Sequence, residues 1–383
     1  MSQSRFIFTF LSLFVLASSQ LSLAQPVVPK PPEFTLHKQL PGEDQFSWSR
    51  PTFSPDSKYV AAFAHTSKTV TVWEVASGKV VGQIKDSVEG FDGVDGFEFS
   101  NDGTQLIMMR SDKPLLFLDW KAGTVSKKID MKADPKKIIC YDFSKDQNLL
   151  FLGTMSSGIQ VWDLKAGKKI KSFLEGQAIS GIDYITYQNK QGKTVRLIGW
   201  GRALMAPNLK FDNVAGIIDL DSGANSPLLK DVPADKLPPE GSMTFLMVNW
   251  QWGGGHLLIS YYQIQPKIKA GVFLVDALTK KYVSTLELGQ KTINFAPKYL
   301  WKPYHGLSIS TNDMSNPMQP VKSATDFVVF SKDGLKILDT IDESKLPVQS
   351  INYNADNTLA VVSQKKTMQD PATIFLYKVT PKK

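Results

Sequence analysis

The stretch FSKDQNLLFLGTMSSGIQVWDLKAGKKIKSF, Phe143 to Phe173, has two earlier near-copies: FSPDSKYVAAFAHTSKTVTVWEVASGKVVGQI (Phe53–Ile84) and FSNDGTQLIMMRSDKPLLFLDWKAGTVSKKI (Phe99–Ile129). Aligned on the glycine of VWEVASG, FLDWKAG and VWDLKAG, the copies place Gly78, Gly123 and Gly167 at equivalent points, a period of 45 and then 44 residues. A period in this range marks a chain built from one supersecondary unit that buries its faces only by stacking on its neighbours.

Each copy reads as four strands. An aromatic residue (Phe53, Phe99, Phe143) ends the first, and SPDS, SNDG or SKDQ supplies the Ser, Pro, Asp and Gly chemistry of a tight turn. The next two strands, such as KYVAAFA and TVTVWEV, are almost continuously apolar, as strands covered on both faces must be. The fourth, such as KVVGQIK or KKIKSFL, admits lysines, as an outer, partly wet strand would. Between the third and fourth strands lies ASG or KAG, with Gly where a positive φ is needed. The spacing and the four strands together predict a four-stranded antiparallel propeller blade.

With drift, the pattern continues through GIIDLDSGANSPLL (216–229), GVFLVDALTKKYVSTLEL (271–288) and DFVVFSKDGLKILDTI (326–341), each a third strand, a turn and a fourth. FSKDG at 330–334 looks like a first-hairpin turn but falls, by register, in the second. The last unit, beginning VQSINYNADNTLAVV, supplies three strands before the chain stops, and EFTLHKQL (33–40) is the candidate for its fourth. The expected architecture is all-β: a single seven-bladed propeller over 25–383, with blades at about 46–84, 91–129, 138–173, 180–229, 243–288, 291–341 and 348–379 and the last blade closed by the N-terminal strand.

These features resemble the WD-repeat propellers and their looser bacterial relatives with FSPDG-like turns. Trp162-Asp163 matches the WD dipeptide and Trp73-Glu74 is close to it, whereas no Gly-His pair precedes a first strand. The resemblance implies a binding platform and not a particular ligand.

Residues 1–24 carry Arg5, an apolar run from Phe6 to Ala17 and the small-residue ending Ser22-Leu23-Ala24, the layout of a secretory signal peptide. Export to the periplasm or the extracellular space is the expectation, with no transmembrane segment in the mature chain and a monomeric state. Cys140, the single cysteine, gives no disulfide framework and reads as a core residue.

The net charge of +8 and pI of about 9.2 invite a nucleic-acid reading. Much of the lysine, however, falls in or beside fourth strands (Lys79, Lys85, Lys127, Lys128, Lys168, Lys169, Lys171, Lys280, Lys281, Lys336), where it resists edge-to-edge pairing, so no nucleic-acid partner is expected.

Catalytic signatures such as G-x-S-x-G, H-E-x-x-H and G-x-x-x-x-G-K-[ST] are absent, and His37, His65, His256 and His305 fall in no ligand spacing, so neither metal nor cofactor is expected. FDGVDG (91–96) reads as an inter-blade loop. Glu74, Asp119, Asp163, Asp219 and Asp276 share one repeat position at the end of the third strand, which points to a turn role.

Loop length is unequal. The connections between second and third strands are short in units one to three (HTSK, RSDK, TMSS) but run to GWGRALMAPNLKFD (199–212), YYQIQPKIKA (261–270), STNDMSNPMQPVKS (310–323) and SQKKTMQDPA (363–372) in units four to seven, with the insert KDVPADKLPPEGS (230–242) on the same face. Long loops on a rigid scaffold are where binding resides. The candidate ligand-binding residues are therefore Arg202, Met205, Lys210, Lys267, Lys269, Met314, Met318, Lys322, Lys365, Lys366 and Met368. Methionines offer an adaptable apolar surface and the cations offer anion contacts, so a protein or an acidic envelope polymer is the expected partner of a non-catalytic interaction module. The alternative is a propeller-type lactonase or hydrolase with its site at the central channel on the same face.

Overall fold

The computed structural model describes residues 33–44, 51–85, 94–110, 113–131, 138–189, 191–204, 213–238, 243–250, 255–263, 269–289, 291–295, 306–313, 322–331, 334–341, 350–364 and 371–380; between 291 and 350 only the backbone of the strands is described. No α-helix occurs among them. The strands follow the chain as β1 (Glu33–Asp44); β2 (Thr52–Phe53), β3 (Tyr59–Ala64), β4 (Thr69–Glu74) and β5 (Val80–Lys85); β6 (Val94–Phe99), β7 (Gln105–Arg110), β8 (Leu115–Asp119) and β9 (Thr124–Ile129); and β10 (Ile138–Phe143), β11 (Leu149–Thr154), β12 (Ile159–Asp163) and β13 (Lys168–Phe173). Then come β14 (Ile179–Gln188), β15 (Thr194–Leu204), β16 (Ala215–Asp219) and β17 (Asn225–Pro227); β18 (Thr244–Trp250), β19 (His256–Gln263), β20 (Lys269–Asp276) and β21 (Lys281–Gly289); β22 (Lys291–Phe295), β23 (Gly306–Asp313), β24 (Lys322–Ser331) and β25 (Gly334–Ile341); and β26 (Ser350–Tyr353), β27 (Leu359–Gln364) and β28 (Ala372–Thr380).

Consecutive strands pair antiparallel in four-stranded sheets β2–β5, β6–β9, β10–β13 and β22–β25, while β14–β21 form one eight-stranded sheet, in effect two units joined at β15 and β18. The remaining sheet has the order β1-β28-β27-β26, so the N-terminal strand lies beside the C-terminal one, from Glu33↔Thr380 to Asp44↔Ala372. Leu40 of β1 is 1% exposed, packed with Phe53, Val60 and Trp73 of the first unit and Ile374 and Leu376 of β28. The indole of Trp73 donates to the Pro41 carbonyl at 2.8 Å.

Two turn devices recur. In the first hairpin a serine hydroxyl donates to the aspartate two residues on (Ser54–Asp56 2.7 Å, Ser100–Asp102 2.6 Å, Ser144–Asp146 2.6 Å) and accepts the backbone N–H five residues on, at 2.9 Å from Tyr59, Gln105 and Leu149. Asn354 replaces the serine in the last unit, accepting from Leu359 N–H at 2.9 Å. In the second hairpin Asp119, Asp163, Asp219 and Asp276 accept backbone N–H groups two or three residues ahead, which is the structural turn role expected for this repeat position. The following left-handed residue is Gly78, Gly123, Gly167 or Gly223, with φ of 65–74°, and Lys280, with φ of 59°, in the β20–β21 turn.

The rim lysines differ from a purely solvated edge. Lys127 of β9 donates to the Leu164 carbonyl of the next unit at 2.8 Å, Lys171 of β13 donates to Leu220 O of the unit after, and Lys38 of β1 bonds Val75 O and Ala76 O of the first unit. In each case an outer-strand ammonium reaches the carbonyl just past the neighbour's third strand. FDGVDG is likewise not wholly a loop: β6 begins at Val94, and the hydroxyl end of Tyr141 comes so close to Gly96 that a Cβ there would lie 2.2 Å from it.

Deleting 33–40 removes Leu40 and the Lys38 bonds and uncovers the edge of β28. A loss of about 3–5 kcal/mol and concentration-dependent self-association are expected, read by denaturant melts and light scattering; an unchanged midpoint in a monodisperse variant would contradict the role given to β1. The turn carboxylates make stability depend on pH. The Ser100 and Ser144 hydroxyls hold the Asp102 and Asp146 carboxyls below their ordinary value. A depressed carboxylate contributes stability above its unfolded value, near pH 4, that is lost as pH falls through the folded one. The double variant Ser100→Ala, Ser144→Ala should therefore melt below the parent at pH 6, and the gap should narrow toward pH 3 without closing, because the acceptors lost to Gln105 and Leu149 N–H do not titrate.

Candidate functional site

Where β14 begins and β15 ends, units four and five are joined by backbone contact. Gly181 of β14 and Gly201 of β15 are paired across the sheet, and both press on the next unit: an added Cβ would lie 2.5 Å from Met247 Cα at the first and 2.8 Å from Leu246 O at the second. No side chain fits there. Ser180 Oγ donates to Leu246 O at 2.6 Å and accepts from Leu246 N at 3.2 Å. Beyond this point β15 leaves its own sheet and pairs with β18 through Ala203↔Phe245 and Leu204↔Thr244. Deeper in, the Asp183 carboxylate accepts Trp250 N–H at 2.6 Å while the Trp250 indole donates to Asp183 O at 3.0 Å.

Of the residues singled out from sequence, Arg202 and Lys269 are described with their side chains. Arg202 lies on β15 opposite Ile179, and its backbone N–H donates to Val214 O at 2.8 Å. Alternation along a strand puts it on the same face as Ile198 and Trp200, which pack on Phe151, Ile159 and Val161 of unit three. Its guanidinium makes one long bond, Nη1 to Asn213 O at 3.4 Å, and its buried Nε has no partner among the described residues. Burial pulls its pKa down from the ordinary arginine value, with no described carboxylate to oppose it. Arg196 on the same strand is the contrast: it is paired with Asp221, which raises its pKa.

Lys269 turns elsewhere. Its Nζ is 3.7 Å from Glu287 of the outer strand β21, which also holds Lys236 of the 230–238 insert at 3.3 Å. The structure therefore does not bring Arg202 and Lys269 to one point. Lys322 opens β24 opposite Asp313. Met205, Lys210, Lys267, Met314, Met318, Lys365, Lys366 and Met368 lie outside the described residues.

A repeat position missed in the sequence emerges from the register. Gln105, Leu197 and His256 pair with the turn carboxylates Asp119, Asp219 and Asp276; five residues further along each strand stand Arg110, Arg202 and Tyr261. Arg110 is 2% exposed with Nη2 3.2 Å from Pro114 O. Tyr261 is 1% exposed and stacked on Phe273; its phenol has no hydrogen-bond partner among the described residues, and burial raises its pKa. Ala64 and Thr154 hold the position in units one and three. The signal was available in the sequence: counting five residues on from the position opposite the turn carboxylate lands on these residues.

No protein-family model matches the chain. A stretch of 121 residues, 32% of this chain, is 26% identical to pre-mRNA-processing factor 19 of Bos taurus; it spans 23% of that protein, so the match covers about a quarter of the relative's length. Solved structures match nearly the whole chain. U3-55K aligns over 91% of this chain and 99% of its own with 13% identity and a TM-score of 0.58, and the RRP9 WD40 repeats over 90% and 100% with 14% identity and 0.59. A chain of the mitotic checkpoint complex aligns over 99% and 100% with 16% identity and 0.58. At such identities the likeness is one of fold: the chain has the WD40-repeat propeller architecture, with four-stranded antiparallel sheets as its repeating element.

Removing the Asp183 carboxylate leaves Trp250 N–H buried without an acceptor. Asp183→Ala is expected to cost about 2–3 kcal/mol, and Asp183→Asn, which keeps an acceptor oxygen, less than half of that. Equal losses in denaturant melts would show that the hydrogen bond is not what joins the two units.

Proposed function

We propose that the chain is an exported, seven-bladed, ring-closed WD40-type propeller acting as a non-catalytic protein-interaction module, its partner held on the long-loop face over units four to seven. The observation that carries the reading is the contrast between the two ends of a unit. At one end the hairpins are closed by their own side chains, through the Ser–Asp turns and through backbone donors to Asp119, Asp163, Asp219 and Asp276. At the other, the second strand of unit four carries the half-buried Arg202, whose Nε has no partner among the described residues. A surface left chemically unfinished on a rigid scaffold suits a ligand.

Ring closure is supported by contacts between the last and first units. Asn352 donates to Pro51 O at 3.2 Å, and Val361, Ile374 and Leu376 share a core with Phe53, Val60 and Ala62. Export rests on the signal-like residues 1–24, which lie outside the described residues. A protein partner is favoured over an acidic envelope polymer by the solved neighbours, one of which is named as part of a complex.

The test is to trim the connections 205–212, 264–268, 314–321 and 365–370 singly to four-residue turns with the sequence of His65–Lys68, confirm folding by circular dichroism and melting, and capture partners from native envelope with each. At least one folded variant should lose the partner that the parent captures. Retention by all four would move the function to another face.

A further inference from the structure

We infer that the joint between units three and four, on the long-loop face, is an anchor for an acidic side chain of a bound peptide, with Arg202 receiving the carboxylate and Gln177 bonding a peptide N–H beside it. The inference rests on the interaction-module reading above and adds the chemistry of what is bound.

The backbone sets the two residues diagonally across one antiparallel pair, Arg202 standing opposite Ile179, two residues from Gln177. Ala203 N donates to Ala178 O at 3.0 Å, which ties the residue after Arg202 to the residue after Gln177. Gly158, at the end of the short unit-three connection, donates to Gln177 O at 3.1 Å, so that connection borders the same point. Met155, Ser156 and Ser157 there are half-buried, and Thr154 is already used, accepting from Ser157 N–H at 2.8 Å. Arg202 Nε and Gln177 Oε1 are buried polar atoms with no partner among the described residues.

A half-buried guanidinium with no counter-ion among the described residues is unfavourable in the free protein. The guanidinium fork fits a planar carboxylate on two parallel N–H bonds. At the same joint the Gln177 Oε1 is an acceptor without a partner among the described residues, which disfavours a phosphate or sulfate whose oxygens surround the group on every side. A peptide offers both complements, a carboxylate on a slender one- or two-methylene arm and a backbone N–H close by. A carboxylate set directly on a sugar ring brings the ring to the same joint and no N–H.

The probe is a fluorescein-labelled hexaglutamate peptide, measured by anisotropy against the full mature chain. Arg202→Met should weaken binding about tenfold, the value of one charge-assisted bond, and Arg202→Lys should restore part of it. Arg202→Met should at the same time raise the melting midpoint of the unliganded protein, because it removes an uncompensated charge. Lys168→Gln with Lys169→Gln, two exposed rim cations in β13, should change affinity less than about twofold by comparison.

Unaltered peptide binding by a folded Arg202→Met, or no binding by the parent up to about 1 mM, would overturn the inference, as would inorganic phosphate or polygalacturonate competing through Arg202 as well as the peptide does. If the loop trims abolish partner capture while Arg202→Met leaves it whole, the interaction-module reading survives and this anchor does not.

Discussion

The interaction on which the structure depends is a buried side chain that hydrogen-bonds from one unit to the backbone of the next. Each sheet is apolar on both faces and must be covered on both, but apolar packing is non-directional and sets no register between neighbours. Hydrogen bonds set it. Asp142, 5% exposed, accepts Tyr184 N–H at 2.7 Å, and Asp183, 3% exposed, accepts Trp250 N–H at 2.6 Å. Asn352 makes the corresponding link from the last unit to the first, donating to Pro51 O at 3.2 Å. Each of these residues sits immediately before an aromatic of its first strand, and alternation sends the two to opposite faces: Asp142 and Asp183 bond forward to the next unit, while Phe143 and Tyr184 pack in the cores shared with the preceding one.

That adjacency explains what was legible in the sequence. Turn chemistry, the glycine period and the alternation of apolar and lysine-bearing strands are local properties, each readable from a few consecutive residues. The polar–aromatic pair is in view as well: Thr52-Phe53, Glu98-Phe99, Asp142-Phe143, Asp183-Tyr184, Asn249-Trp250, Asn294-Phe295 and Asn352-Tyr353. It is hard to read because the polar member varies among Thr, Glu, Asp and Asn, and the partner, where it is described, is a backbone group with no sequence signature. The lysines show the converse. Lys127 and Lys171 look like solvated edge charges in sequence, yet their ammonium groups reach across to the next unit's carbonyls.

The candidate site was less legible for the same reason. Loop length and cation count led to an expected face, but they could not separate Lys269, paired with Glu287, from Arg202, which has no carboxylate partner among the described residues. That difference is decided by strand register: Glu287 stands opposite Gly271, two residues from Lys269, whereas Asp219, the carboxylate on the strand beside Arg202, is used to cap its own turn.

The two ends of a unit thus follow opposite rules. Where the chain turns by aspartate and serine, the carboxylates and hydroxyls are closed within one hairpin, and the turn is stable without reference to its neighbours. Where β15 ends, closure is shared: Gly181 and Gly201 allow two backbones to touch, and β15 pairs outside its own sheet with Ala203 and Leu204. A strand held on both sides by neighbouring units cannot shift to seek a partner for its own side chains, so Arg202 is fixed in place with its Nε unpaired among the described residues. Rigidity of this kind lowers the ordering cost that a ligand would otherwise meet, and an uncompensated cation increases what an anionic one gains. For the anchor inferred above, the same backbone contacts that fuse units four and five are what would let the adjoining joint with unit three convert unfavourable burial in the free protein into affinity.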